Sequence, residues 1–110
     1  MPNGQVINES SRDLWVVEND RRSQQPVAHK LAPNRQSPGS IDADGFRAVD
    51  NSITVDGHRS WVKINDLSTA TVRDRGSNLT SNCIACRNVG EGEFGTVTFN
   101  HGSGWGEPIT

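Results

Sequence analysis

Val and Ile outnumber Leu sixteen to four in this chain, and no other property restricts its fold as strongly. Branching at Cβ stiffens χ1, which suits a pleated strand and disfavours a helix. An all-helical bundle is therefore excluded. A length of 110 residues fits one β domain spanning 1–110. Apolar residues make up only 32%, so the core must be thin and loops must take much of the length. The longest apolar run, Leu14-Trp15-Val16-Val17, is far too short for a membrane helix.

Alternation places the strands. Leu14 and Val16 face one way and Trp15 and Val17 the other. Apolar residues on both faces predict a central strand covered on both sides. Residues 26–31 pair with it as a hairpin, with Val27, His29 and Leu31 sharing a face. Further strands are expected at 5–8, 46–49, 52–55, 60–65, 69–73, 79–87 and 94–99. Asp56-Gly57 and the stretch 74–78 are turn signals. The prediction is a small antiparallel β-sandwich, with a small β-barrel as the alternative, of eight or nine short strands and long loops. Residues 1–4 and 100–110 are expected to be flexible ends.

Residues 32–45 hold two prolines and two glycines among small polar residues, and read as a long loop. Loops of this length without their own secondary structure are uncommon unless they bind something or are disordered. Candidate contacts are Arg35, Asp42 and Asp44 in that loop, His58 and Arg59 after the Asp56-Gly57 turn, and Trp105 in the glycine-rich tail. A tail tryptophan can stack on a ligand or fold back to cap the sheet. His101, set among glycines, is expected to be ordered only by a partner.

Asp42-Ala43-Asp44-Gly45 alternates carboxylates before a glycine, a pattern that can converge on a hard cation. It resembles the middle of an EF-hand loop, with Asp42, Asp44 and Gly45 at the third, fifth and sixth positions. The resemblance covers about a tenth of the chain. Ser40 and Asn51 stand where that family has its first and last acidic ligands. It implies calcium held by Asp42 and Asp44, with Asp50 as a further donor. The competing reading is an Asx-rich turn bonded to its own backbone, with no cofactor.

Cys83 and Cys86 lie in a stretch that reads as a strand, where residues three apart point to opposite faces. They are expected as two half-buried thiols in a reducing compartment, bridging only if a bulge or turn intervenes. The basic strip Arg21, Arg22, Lys30 and Arg35 precedes the acidic Asp42, Asp44, Asp50 and Asp56. Such neighbours are expected to pair on the surface.

A net charge of −2 gives no field to attract nucleic acid. His29, His58 and His101 show no metal-triad spacing, and neither a nucleophile elbow nor a phosphate-binding glycine loop occurs. The expected role is a non-catalytic interaction module that presents loops or a sheet edge to a protein partner or a second copy. The alternatives are a carbohydrate- or small-ligand-binding sandwich with a calcium site, and a metal-dependent enzyme. The first residues lack the basic and apolar regions of a secretory signal, so the default expectation is cytoplasmic, with non-classical export as the alternative.

Overall fold

The computed structural model describes residues 3–20, 25–65 and 67–109. The turn containing Arg21 and Arg22 lies outside them. The described chain is all β: β1 (Gln5–Asn8), β2 (Leu14–Asp20), β3 (Gln25–Leu31), β4 (Arg35–Gln36), β5 (Ala43–Ala48), β6 (Val62–Ile64), β7 (Thr69–Arg75), β8 (Asn78–Ser81), β9 (Cys86–Asn88), β10 (Thr98–Asn100) and β11 (Glu107–Pro108). No helix among the described residues is long and apolar enough to cross a membrane.

The strands form two packed sheets, one in the order β11-β4-β1-β7-β8 and one in the order β10-β3-β2-β5-β6-β9. The sandwich expected from the alternation is therefore present. Its sheets are mixed rather than purely antiparallel, because β1 pairs parallel with β7 and β10 parallel with β3. Parallel neighbours need long crossovers, and local turn signals carry no trace of them.

β2 pairs with β3 over its whole length and with β5 on its other edge. Leu14, Val16 and Val17 are fully buried and Trp15 nearly so, as expected for a strand covered on both faces. Its inner face meets the second sheet. There Leu14, Val16, Leu31, Phe46 and Ile64 pack with Val6, Ala70, Val72 and Leu79 in one cluster. The buried Asn8 is fully engaged: its amide donates to the carbonyls of Arg12 and Leu31, at 2.8 and 3.0 Å, and its Oδ1 accepts from the Ser10 backbone and hydroxyl. Those bonds tie β1 of one sheet to the end of β3 in the other.

Both open sides of the sandwich are crossed by the chain. Residues 101–106 run from β10 in one sheet to β11 in the other, and residues 82–85 run from β8 to β9. Trp105 on one side, and Cys83 and Cys86 on the other, pack against the inter-sheet core.

Four local expectations change. Of the strand expected at 94–99 only Thr98 and Phe99 are in one, β10, which runs on to Asn100. The 32–45 loop contains β4 and the start of β5, because Ala43 pairs with Glu18 across a bulge at Asp44 of β5 and Arg35-Gln36 pairs with both β1 and β11. Residues 52–55 are not a strand: Ile53 and Val55 are buried, but Val55 makes only bridges, to His58 and Leu79. The tail is not all loop, since it supplies β11. In each case pairing with a distant partner decides the conformation, and local propensity does not reveal it.

The cysteines also differ from expectation. Cys83 and Cys86 form a disulfide, with their Cα atoms 5.4 Å apart. The reason is the crossing: residues 84–85 form a turn, which brings the two side chains to one side as a regular strand cannot.

Candidate functional site

The outer face of the six-stranded sheet carries a second apolar cluster of Trp15, Val17, Ala28 and Trp61. No sheet covers it. The cover is chiefly the stretch 89–101, which lays Val89, Phe94 and Val97 against the cluster, with Val49 packing on it from the end of β5. Phe94 meets Trp61 edge to face at 5.6 Å. Gly45 in β5 makes room for it: a Cβ there would come within 2.7 Å of the Phe94 ring and 2.8 Å of the Val62 carbonyl oxygen. Any larger residue would push the ring off the strand.

Two ion pairs pin the same stretch. Arg47 of β5 donates to Glu91 at 2.5 Å, and Lys63 of β6 to Glu93 at 2.9 Å. The Lys63 hydrogen bond, and then its charge, hold the Glu93 carboxyl below its usual range. The Arg47 guanidinium also lies over the Trp61 ring, 5.4 Å from its centre, a favourable cation–π placement.

The cover is incomplete. Phe99 of β10 packs edge-on to Trp15 at 4.9 Å yet remains 42% exposed. His101 stands at 90° to the same Trp15 ring, 5.1 Å away. Trp15 therefore orders His101, which the sequence alone assigned to a partner. Between these rings and the end of β5 lies an open cleft of about 320 Å³, lined by Trp15, Arg47, Val49, Asn51, Phe99 and His101. Clefts that mix aromatic walls with a few polar groups are the usual small-molecule sites.

Of the residues singled out in the sequence, His101 alone lines this cleft; Arg35, Asp42, Asp44, His58, Arg59 and Trp105 are not in its lining and do not form one site. Arg35 and Trp105 share the side of the sandwich where β10 and β11 lie. Arg35 donates to the Gly106 carbonyl at 3.2 Å, and Trp105 stacks on His29, with centres 4.6 Å apart and planes 5° from parallel. Trp105 thus caps the sheets from within. His29 Nε2 lies 3.9 Å from Glu18 Oε2, a buried oxygen with no hydrogen-bond partner. Burial lowers the His29 pKa, and the Glu18 charge opposes that shift.

His58 and Arg59 are exposed on the opposite side, where Val55 bridges both His58 and Leu79 of β8. Asp42 accepts from the Gly4 backbone at 2.9 Å, and Asp44 lies within β5. Asp50 sits beyond the far end of β5. There the Ser52 backbone and hydroxyl bond its carboxylate and lower its pKa. A six-residue strand, about 20 Å long, separates Asp42 from Asp50. The structure therefore does not assemble the proposed set of Asp42, Asp44 and Asp50. Among the described residues no three His, Cys, Asp or Glu side chains group to hold a metal ion.

His101 apart, the sequence does not mark the cleft residues as a site, although one signal points toward them. A strand that is apolar on both faces needs two covers, and the glycine-rich stretch after residue 89 is the one segment left to supply the second. No family model, curated protein or solved structure matches this chain.

Proposed function

We propose that this protein is a non-catalytic binding module whose recognition site is the aromatic cleft on the outer face of the six-stranded sheet. The observation that carries the reading is Phe99, a ring fixed by Trp15 yet open to solvent, beside the unburied polar groups of Asn51 and His101. A rigid apolar wall flanked by a few orienting polar groups is what a small ligand requires. The non-catalytic part is supported by the placement of the histidines. His29 stacks on Trp105 and His101 packs on Trp15, while His58 lies at the Val55 bridge, so the histidines are spread over separate parts of the fold. The disulfide supports an oxidising compartment over the cytoplasm, since such bonds persist where thiols are not kept reduced.

The test is a fragment screen followed by two-dimensional amide NMR on the intact chain. Shifts confined to Trp15, Val49, Asn51, Phe99 and His101 are expected, and Phe99→Ala should abolish them. Shifts clustered elsewhere would refute the cleft.

A second reading has its own support. Leu67 is 60% exposed and Ile84 fully exposed. Their loops adjoin, because the Asn65 backbone donates to the Ala85 carbonyl at 3.3 Å. Two projecting aliphatic side chains on neighbouring loops suit the pocket of a protein partner. Shifts mapping to these two residues on mixing with cell extract would favour that reading.

A further inference from the structure

We infer that the cleft takes a neutral sugar ring. This rests on the binding-module reading above and adds the chemical class of the ligand.

Size comes first. A volume of about 320 Å³ stands at the lower end of small-molecule sites, so the occupant is ring-sized rather than extended.

Charge comes second. Arg47 is the one permanently charged side chain in the lining, and it is already committed. It bonds Glu91 at 2.5 Å and Asn51 at 3.3 Å, and it lies over Trp61. An anion would have to displace Glu91 from it, and a cation would find no free carboxylate in the lining. The remaining polar side chains in the lining, Asn51 and His101, carry no permanent charge.

The donor and acceptor set comes third. With its oxygen engaged by Arg47, Asn51 offers its amide N–H groups. His101, exposed beside Trp15, offers one ring N–H and one ring acceptor when neutral. Hydroxyl groups both donate and accept, so a polyol satisfies this set. A purely aromatic occupant would leave these groups unpaired at a cost.

The stacking wall comes last. Trp15 meets Phe99 at 65° and so holds the Phe99 ring in a set orientation. The face of an aromatic ring carries partial negative charge. It therefore attracts the weakly positive C–H groups on one face of a pyranose.

The experiment titrates the intact protein with methyl β-glucoside, methyl β-galactoside and N-acetylglucosamine. Glucuronate and indole serve as contrasts, and amide NMR is the readout. At least one neutral sugar should shift Asn51, Phe99 and His101, with millimolar affinity. Phe99→Ala should weaken that binding at least tenfold, and Asn51→Ala several-fold, with both variants folded at the temperature of the titration. Tighter binding of glucuronate than of every neutral sugar would overturn the inference. So would Phe99-dependent binding of indole without any sugar, although the cleft reading would then stand. If no probe shifts these residues, both readings fall.

Discussion

The two faces of the six-stranded sheet are buried in different ways. On the inner face Phe46 is fully buried in a cluster drawn from both sheets. On the outer face Trp15 and Trp61 are also buried, but a loop segment with two ion pairs, helped by Val49, supplies the cover. A sheet covers evenly because its side chains repeat at fixed intervals. A loop covers only where its few apolar residues fall, and here it runs out between Val97 and His101. Stability and recognition are thereby separated onto opposite sides of the same strands.

The largest effect that can test this contrast is Phe46→Ala. It should cost about 3–5 kcal/mol, the usual loss for a buried phenylalanine, measured by urea denaturation. Phe94→Ala, on the half-buried outer cover, should cost clearly less and should speed hydrogen exchange in 89–101 while β2 stays protected. Equal losses in the two variants would erase the distinction.

Next is the disulfide on one open side. Replacing both Cys83 and Cys86 by Ser should cost about 2 kcal/mol, the loop-closure entropy of so short a ring. Ligand shifts at Phe99 should survive, because the crossing at 82–85 packs on the inner cluster and not on the cleft. Loss of those shifts at a temperature where the variant is folded would show that the two faces are coupled.

The smallest effect concerns His29, on the other open side. Its folded pKa lies below the ordinary 6.5, mainly through burial. The unfolded chain therefore binds the proton more tightly, and stability is complete above pH 6.5 and declines as pH falls through that value. The charged group facing His29 is Glu18, at 3.9 Å, and it limits the size of the effect. The melting temperature should fall between pH 7 and pH 5, and His29→Gln should flatten that slope. Asp50 and Glu93, whose carboxyls are held low, matter only in more acidic solution, where their protons return. A His29→Gln profile identical to the parent's would show that the imidazole plays no part.

How much of this was legible beforehand depends on whether the deciding contact was local. β2 and β3 were readable because alternation and a hairpin turn are short-range signals. The Asp56-Gly57 turn was readable for the same reason, and Val55 and His58 exchange both backbone bonds across it. Arg35-Gln36 and Glu107-Pro108 carry no strand pattern, and become strands only because they lie beside each other and β1. The cysteine bridge needed the 84–85 turn, which Ile84-Ala85 does not announce. The cleft needed the knowledge that Phe99 lands beside Ala28 and not elsewhere. A register 71 residues long in sequence cannot be read from either end alone.

Both sheets receive an outermost strand from the last stretch of the chain, β10 in one and β11 in the other. During synthesis the six-stranded layer cannot be completed until residue 100 has left the ribosome, nor the five-stranded layer until residue 108 has. Refolding must likewise close loops spanning most of the polypeptide. Such a topology places self-assembly in the millisecond-to-second regime, roughly, and not among the microsecond folders. Until that last stretch arrives, the growing chain holds Trp15 and Trp61 uncovered, which is when it is most exposed to self-association.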